Sequence, residues 1–179
     1  MKNLHKLFLI LLLLTLSIGC DQITKDIAQK NLKSSLPRTY LNDTVRLHYA
    51  ENPGSMLGFG ARLPQRMRFW FLTVLPACFL VGLFGYLLLS RKLTQAQFYA
   101  FSLILGGGVS NLLDRFLNDG VVIDFMNIGI GQVRTGIFNV ADVLIMAGLG
   151  LLLLFNVRLR QGKESSEIAS AEDFESSGN

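Results

Sequence analysis

Residues 69–89 read FWFLTVLPACFLVGLFGYLLL, a run without a charged side chain that is soon followed by Arg91 and Lys92. A helix needs about 20 apolar residues to cross the hydrocarbon core of a bilayer. The run therefore predicts a transmembrane helix, in which Pro76 is a candidate kink. Of the 179 residues, 50% are hydrophobic and 17% are charged, which is too apolar for an ordinary soluble domain. One compact membrane domain is expected.

An apolar block at residues 7–19 lies behind Lys2 and Lys6 near the N-terminus. By itself this block fits the hydrophobic region of a signal peptide. It is long enough to span a bilayer only if its helix continues into the polar sequence DQITK. Asp21 and Lys25 favour that continuation, because an acid four residues before a base can form an ion pair on one helix face. The block therefore predicts a first transmembrane helix that continues to Lys25.

Two further apolar stretches complete the predicted membrane domain. Residues 93–113 carry no charge and include the triplet GGG at 106–108, where small residues permit close contact between helices. Residues 136–157 are apolar apart from Asp142 and Asn139. The predicted fold class is thus a membrane protein, mainly α, with four transmembrane helices.

Two connections predict a small β-containing region outside the cytoplasm. The stretch 21–68 contains the alternating sequence TVRLHY, which is typical of a short strand. The sequence VVIDFMNIGIG at 121–131 indicates a second, buried strand-like piece. Residues 158–179 are polar and acidic and have the composition of a disordered tail. We therefore expect a four-helix membrane domain at 1–157 and a cytoplasmic tail at 158–179.

The orientation of the chain follows from the number of spans and from one turn. Four spans place both termini on the same side of the membrane. Cytoplasmic loops carry an excess of Lys and Arg, but here the basic residues are divided between the two faces. The turn at 90–92 is short and dibasic, and long polar segments can be translocated despite their charge. Both termini are therefore expected in the cytoplasm, with residues 21–68 and 118–136 outside.

Several classes of function are not supported by the sequence. The Lys and Arg residues are scattered between apolar blocks and form no stripe interleaved with exposed aromatic residues, so no nucleic-acid partner is expected. Cys20 and Cys78 show no CxxC spacing and are too few for a structural zinc site, and His5 and His48 are isolated. We therefore expect no disulfide, no metal site and no cofactor.

Asp124 and Asp142 are the candidate catalytic residues, because ionisable side chains within apolar segments are costly and usually functional or paired. Asp142 would lie about 9 Å along a helix from the start of its apolar stretch. Two carboxylates in a partly desolvated site share one proton at neutral pH. One can then take a proton from water while the other hydrogen-bonds a scissile carbonyl, as in aspartic peptidases. The alternative is that they pair separately with Arg115 and Arg134, or cap helices.

Five blocks of sequence occur in order at the expected places relative to the four predicted spans. They are DQITK at 21–25, ENPGSMLG at 51–58, GGGVSNLLDR at 106–115, VVIDF at 121–125 and FNVAD at 138–142. Together they resemble the lipoprotein signal peptidase family, also called signal peptidase II, over residues 7–157. The second block departs from the usual pattern, since SMLGF follows Gly54 where small residues and a phenylalanine are usual. This departure affects the shape of that loop, and so substrate or inhibitor preference, rather than the aspartates.

The resemblance implies roles for ten residues. Asp124 of the VxDF block and Asp142 of the FNxAD block would form the catalytic dyad. Supporting or substrate-contacting roles are implied for eight more: Asp21, Lys25, Asn52, Gly54, Gly107, Asn111, Arg115 and Asn139. Asp114 adjoins Arg115 after a helix, so we expect it to form an ion pair or a cap.

The resemblance also implies the reaction. It is hydrolysis of the peptide bond before a cysteine that carries a diacylglyceryl group, which releases the signal peptide of a bacterial prolipoprotein. The implied location is the bacterial cytoplasmic (inner) membrane, with the active site at the outer leaflet, where the acyl chains of that cysteine lie. No metal or cofactor takes part, membrane lipid is a partner, and a monomer is expected.

Three other interpretations stay open at this point. The chain would itself be a lipoprotein if LSIGC at 16–20 were a lipobox, although Ser17 stands where a large aliphatic residue is wanted. It would be a small transporter or channel subunit if Asp142, Asn111 and Arg115 lined a polar path, but no inverted repeat or pair of broken helices supports this. It would be a non-catalytic relative if it bound lipidated peptides without cutting them.

Overall fold

A computed structural model of the protein describes residues 3–54, 60 and 63–157. In this part of the chain, four helices are long and apolar enough to cross a membrane. They are α1 (Asn3–Leu32), α2 (Gln65–Leu89), α3 (Gln95–Leu117) and α4 (Val140–Val157). The predicted architecture of four spans is confirmed, and the tail predicted at 158–179 lies outside the described residues.

α1 extends further than the sequence predicts: it ends at Leu32, seven residues after Lys25. Its last turns bury Ala28 and Leu32 against Phe125, which belongs to the sheet described below. Burial of an apolar face stabilises a helix beyond what its composition indicates. The helix also runs without a break through Cys20, so the first span is continuous with the polar sequence that follows it.

α2 contains a π turn at Trp70–Val74, directly before Pro76 in the chain. The N–H of Leu75 donates to the carbonyl of Trp70, five residues back instead of four. Proline has no N–H, and its ring clashes with the carbonyl four residues earlier, so widening the preceding turn lets the helix continue. The kink suggested at Pro76 stays a prediction, and the structure shows a π turn directly before this proline.

α3 and α4 run antiparallel and their backbones touch at two points. A Cβ atom added to Gly107 would lie 2.4 Å from the carbonyl oxygen of Ala141, and one added to Gly148 would lie 2.6 Å from that of Ala100. On each helix the two contacts are about two turns apart. Small residues therefore set the separation of α3 and α4, as the glycine-rich stretch predicts.

The connections form a four-stranded antiparallel sheet in the order β1-β2-β3-β4. Its strands are β1 (Arg38–Tyr40), β2 (Val45–Asn52), β3 (Val122–Ile130) and β4 (Val133–Arg134). The strands predicted in TVRLHY and VVIDFMNIGIG are confirmed as β2 and β3, which pair with each other. Their register shifts between Leu47 and Ala50, and an irregularity of this kind bends a strand.

The two ends of the helix bundle differ. At one end, Lys6 of α1 donates to the carbonyl of Ser90 at the end of α2. At the other end, the last turns of α1 pack on the sheet. There Phe138, just before α4 begins, forms an antiparallel β-bridge with Met126 of β3. Between them lies an apolar core of α1, α2 and α3 built on Ile10, Leu80, Leu83, Leu87, Phe98 and Leu105. Lys6 and the turn at 90–92 therefore lie at the end away from the sheet.

Candidate active site

Asp124 lies on β3 with its side chain turned into the protein, and the residue is 2% exposed. The side-chain amide of Asn52, on the paired strand β2, donates to Asp124 Oδ2 at 2.8 Å. The side-chain amide of Asn139 donates to Oδ1 at 2.6 Å. Both oxygens of this buried carboxyl group are thus held by amides.

Burial raises the pKa of the Asp124 carboxyl to about 6, because a charged group is costly away from water. The hydrogen bond from Asn52 lowers this pKa, and the negative charge of Asp142 raises it. Asp124 therefore changes its protonation state near neutral pH. A carboxyl group with such a pKa is suited to proton transfer at physiological pH.

Asp142 lies in the first turn of α4, where it forms a capping box with Asn139. Asp142 N donates to Asn139 Oδ1 at 3.0 Å, and Asn139 N donates to Asp142 Oδ2 at 3.3 Å. This reciprocal pairing satisfies backbone N–H groups at the start of the helix. The sequence FNVAD therefore begins α4 at Val140, although the apolar stretch starts at Gly136.

Two asparagine side chains connect the two carboxylates. Asn139 Nδ2 donates to Asn111 Oδ1 at 3.0 Å as well as to Asp124. Asn111 Nδ2, on α3, donates to Asp142 Oδ1 at 2.9 Å. Asp124 and Asp142 thus lie in one hydrogen-bonded network that joins β3, α3 and α4. With Asn52, which donates to Asp124, all three asparagines that the sequence predicts as supporting residues contact the aspartates.

A buried ion cluster lies next to this network. Lys25 Nζ is 2.6 Å from Asp21 Oδ2 and 2.9 Å from Asp114 Oδ2, and it donates to Asn111 Oδ1 at 3.0 Å. The three charged side chains are all at most 2% exposed. The predicted pairing of Asp21 with Lys25 is confirmed. For Asp114 the sequence predicts an ion pair or a cap after a helix; it forms an ion pair with Lys25, but it lies within α3 and not after it.

The two carboxylates of this cluster also hold the backbone beside the candidate catalytic residues. Asp21 Oδ1 accepts from Ala141 N at 2.8 Å, and Asp114 Oδ2 accepts from Ile123 N at 3.0 Å. Each of these N–H groups belongs to the residue that precedes one of the two aspartates of the network. One lysine therefore balances the two negative charges that position both chain segments.

Arg115 connects α3 to the loop that follows β2. It donates through Nη1 to Asn111 O at 3.2 Å and through Nη2 to Gly54 O at 3.0 Å. Gly54 N in turn donates to Asn52 Oδ1 at 3.0 Å. Arg115 thus holds the loop whose asparagine contacts the buried carboxyl group of β3.

The alternative in which the two aspartates pair separately with arginines is wrong for the described part of the chain. Neither Arg115 nor Arg134 forms an ion pair with Asp124 or Asp142 there. Arg134 instead donates to Asn127 Oδ1. Asp142 does cap a helix through Oδ2, as that alternative also allowed. Its other carboxylate oxygen, Oδ1, accepts from Asn111.

A cavity of about 380 Å³ opens beside Asp124 and Asp142, and we call it the aspartate groove. Polar groups reach its wall from β2 and α3, and the rest of the wall is mostly apolar. α2 contributes Leu72, Pro76 and Phe79, which sequence reasoning did not assign to a site. The signal that could have found this surface is the proline within a span, since irregular helix turns are frequent at functional sites.

Nine of the ten residues implied by the resemblance take part in these networks, and the tenth, Gly107, contacts Ala141 directly before Asp142. In the described residues, no three His, Cys, Asp or Glu side chains are grouped so that they could hold a metal ion. Cys20 and Cys78 are free and exposed. The groups that meet at this site are two carboxylates and three side-chain amides, with the charged side chains of the ion cluster behind them.

Known proteins match this chain over most of its length. Residues 13–158 match the family model for signal peptidase (SPase) II. A lipoprotein signal peptidase of Treponema denticola is 33% identical over 173 residues, which cover 92% of this chain and 100% of that protein. A lipoprotein signal peptidase of Moorella thermoacetica is 33% identical over 160 residues, which cover 89% of this chain and 98% of that protein.

Two solved structures are similar in fold. A bacterial membrane enzyme solved at 2.3 Å resolution has a TM-score of 0.72 and 24% identity, covering 86% of this chain and 90% of its own. A bacterial membrane enzyme solved at 1.9 Å resolution has a TM-score of 0.68 and 25% identity, covering 81% of this chain and 90% of its own. These likenesses support the four-helix fold, and the sequence matches identify the family. The chain belongs to the lipoprotein signal peptidase family, also called signal peptidase II.

Proposed function

We propose that Asp124 and Asp142 form the catalytic dyad with which this peptidase cuts a bacterial prolipoprotein directly before its diacylglyceryl-modified cysteine. As a lipoprotein signal peptidase, the chain removes signal peptides from prolipoproteins. The interpretations as a lipoprotein, a transporter or a non-catalytic binder are not favoured by this membership. What we propose beyond family membership is the identity of the two catalytic residues and the position of the cut before the lipidated cysteine.

The observation that carries the proposal is that Asn139 contacts both carboxyl groups, through its side-chain N–H to Asp124 and its backbone N–H to Asp142. Two carboxyl groups so close to a common neighbour cannot both ionise easily, so the pair shares one proton. The ionised member takes a proton from water, whose oxygen attacks the scissile carbonyl carbon. The protonated member hydrogen-bonds the carbonyl oxygen. A proton passes to the amide nitrogen as the C–N bond breaks.

The other residues implied by the resemblance are proposed to position the dyad. Three amides orient the two carboxyl groups, and the ion cluster and the arginine hold the chain segments behind them. The amides belong to Asn52, Asn111 and Asn139, and the segments are held by Asp21, Lys25 and Arg115 with Gly54. In this proposal, none of these groups accepts or donates a proton during the reaction.

The membrane location of the site suits a lipidated substrate. Each buried CH₂ group contributes roughly 0.8 kcal/mol to membrane binding, so a diacylglyceryl cysteine keeps its chains in the outer leaflet. Asp142 lies in the first turn of a membrane-spanning helix, where it can reach a bond at the edge of that leaflet. We propose that the protein works in the bacterial inner membrane in contact with lipid; a monomer that needs no metal or cofactor is what the resemblance implies.

A cleavage assay tests the proposed reaction. Purified protein in detergent should release the signal peptide from a diacylglyceryl-modified prolipoprotein, and mass spectrometry should place the cut directly before the modified cysteine. The matched substrate is the same precursor without the diacylglyceryl group, which should stay uncut. Equal cleavage of both precursors, or a cut at another bond, would contradict the proposed specificity.

We also propose that both termini are cytoplasmic and that the sheet faces the outside of the cell. The contact between Lys6 and Ser90 supports this, because it groups the basic N-terminal segment with the dibasic turn at one end of the bundle. Lys and Arg are enriched on the cytoplasmic side of membrane proteins. The dyad, which lies at the opposite end, would then face the outer leaflet.

Thiol labelling in intact cells tests this topology. Cys20 and Cys78 are first replaced by serine, and single cysteines are then introduced at Thr44, Asn118 or Ser176. An impermeant thiol reagent should label the first two positions and leave the third unlabelled until the cells are opened. Labelling at Ser176 without labelling at Thr44 would show that the orientation is opposite to the one proposed.

A further inference from the structure

A second groove lies on the neighbouring face of α4. It has a volume of about 640 Å³, and it is bounded by the chain at 135–138 on one side and by Val143, Met146 and Ala147 on the other. Among the described residues that line it, Asp142 alone is charged. We call this cavity the second groove.

The second groove meets the aspartate groove at the candidate catalytic residue of α4. Both grooves are lined by Ile137, Asp142 and Met146. Asp142 and Met146 are four residues apart, so they lie one above the other on the helix and form a ridge. The aspartate groove follows the helix face of Ile145, and the second groove follows the face of Val143. The two cavities therefore lie on either side of this ridge.

We propose that the second groove binds the acyl chains of the diacylglyceryl group on the substrate cysteine, an inference that rests on the function proposed above. A substrate whose scissile bond lies at Asp142 continues from that point in two directions. The signal peptide continues on one side of the bond, and the lipidated cysteine on the other. Two grooves that meet at Asp142 give each part of the substrate its own surface.

The lining of the second groove suits hydrocarbon chains better than a peptide. Val143 and Met146 are 47% and 54% exposed, and they belong to a helix that spans the membrane. Apolar side chains exposed on such a helix face lipid tails, so an acyl chain can enter the groove without leaving an apolar environment. A peptide backbone would bring N–H and C=O groups that need hydrogen-bond partners, which an apolar wall does not supply.

The aspartate groove, in contrast, offers groups that a peptide can use. Asn52, Asn111 and Arg115 line it together with the two carboxyl groups. Side-chain amides and guanidinium groups can pair with backbone carbonyls that would otherwise lack partners inside a membrane. The polar lining thus assigns the peptide to the aspartate groove, and the apolar lining assigns the acyl chains to the second groove.

Photocrosslinking tests where the acyl chains bind. The probe is a synthetic peptide that spans the cleavage site and carries a diacylglyceryl cysteine with a diazirine in each acyl chain. After illumination of the full chain in lipid nanodiscs, adducts on Val143, Met146 or Ala147 would support the proposal. Adducts confined to Leu72 and Phe79 would overturn it. A photoreactive phospholipid that labels the second groove equally under excess peptide would also overturn it, because bilayer lipid would then be the occupant.

A pair of tryptophan variants tests the same groove by kinetics. Ala147→Trp fills the second groove, whereas Leu154→Trp places the same bulk on the same helix face two turns away, at a residue that is 66% exposed. For a dipalmitoyl substrate, Ala147→Trp should raise KM about tenfold, the equivalent of losing about two buried methylene groups. Its KM for a dihexanoyl substrate should change less. Equal effects of both variants, or an unchanged preference for long chains, would overturn the proposal.

Failure of this inference can be distinguished from failure of the proposed reaction. If the unaltered protein forms adducts in the second groove but releases no signal peptide, the proposed reaction fails and the groove assignment stands. If it releases the signal peptide but forms adducts elsewhere, the reaction stands and the groove assignment is overturned.

Discussion

Replacing either Asp124 or Asp142 with asparagine is expected to lower the rate of signal-peptide release at least about a thousandfold. Asparagine has nearly the shape of aspartate, so the packing around each side chain is kept. However, an amide can neither accept a proton from water nor hold the proton that the pair shares. Cells that lack their own enzyme and receive either variant should accumulate prolipoprotein with the diacylglyceryl group attached and the signal peptide uncut.

The double variant distinguishes a dyad from two independent residues. If Asp124 and Asp142 act in one step, the variant with both substitutions should be scarcely less active than either single variant, because groups that act as a unit are not additive. A loss equal to the product of the two single losses would instead indicate separate roles. The measurement is the rate of release of signal peptide at equal protein concentration.

Stability has to be measured beside activity, because both substitutions disturb hydrogen bonds. Each aspartate accepts a hydrogen bond at both of its oxygens, so an asparagine must turn its NH₂ group toward one former donor. The expected cost is about 1–3 kcal/mol, which thermal unfolding in detergent would detect. Asp26→Asn is the matched control, since that side chain is 57% exposed and lies outside the network. Near-normal turnover by Asp124→Asn or Asp142→Asn would remove the dyad assignment.

Sequence reasoning succeeded where the signal is local. The four spans follow from apolar stretches of the sequence, and the pairing of Asp21 with Lys25 follows from their spacing of four residues. That Asp114 pairs with Lys25 could not be predicted in this way. Lys25 and its contact Asn111 are 86 positions apart, and Asp21 and the backbone N–H of Ala141 are 120 positions apart. Such contacts depend on how the helices pack, which no local period encodes.

The contribution of α2 to the aspartate groove was missed for a different reason. The buried face of an amphipathic helix can be read from the sequence, because apolar residues recur every three or four positions among polar ones. The span at 69–89 is apolar all round, because one face meets lipid and another meets the protein. Leu72 and Phe79, which line the groove, therefore look the same in the sequence as lipid-facing residues. By comparison, the start of α4 is readable in FNVAD, since Asn and Asp three residues apart can form a capping box.

Lys25→Met is expected to destabilise the protein by about 3–5 kcal/mol, because it removes the single positive charge between two buried carboxylates. Asp21 and Asp114 are 0% and 2% exposed, so water cannot replace the lost partner. Methionine fills a similar volume, which leaves the loss of charge as the main change. The measurement is unfolding by heat or denaturant in one detergent, followed by the rate of cleavage of the protein that is still folded.

The same helix provides a matched control. Lys30 and Asp26 form a second ion pair with the same spacing of four residues and the same distance of 2.6 Å, but their side chains are 70% and 57% exposed. An exposed pair of this kind contributes about 0.3–0.5 kcal/mol. Lys30→Met should therefore change stability by no more than about 0.5 kcal/mol. The two lysines share the same spacing to their first partner, but Lys25 is buried and contacts a second carboxylate, so the difference between the variants measures the joint effect of burial and of that second charge.

A variant without any of the three charges tests whether the carboxylates themselves are needed. In Asp21→Asn/Lys25→Met/Asp114→Asn, the asparagine oxygens can still accept from Ala141 N and Ile123 N, the two N–H groups that the aspartates hold. Stability should recover most of what Lys25→Met loses, because no buried charge is left unpaired. Cleavage should recover with it, since both dyad segments are again held in place. If Lys25→Met costs no more stability than Lys30→Met, or if the triple variant is less stable than Lys25→Met alone, the buried lysine does not balance the charges that position the dyad.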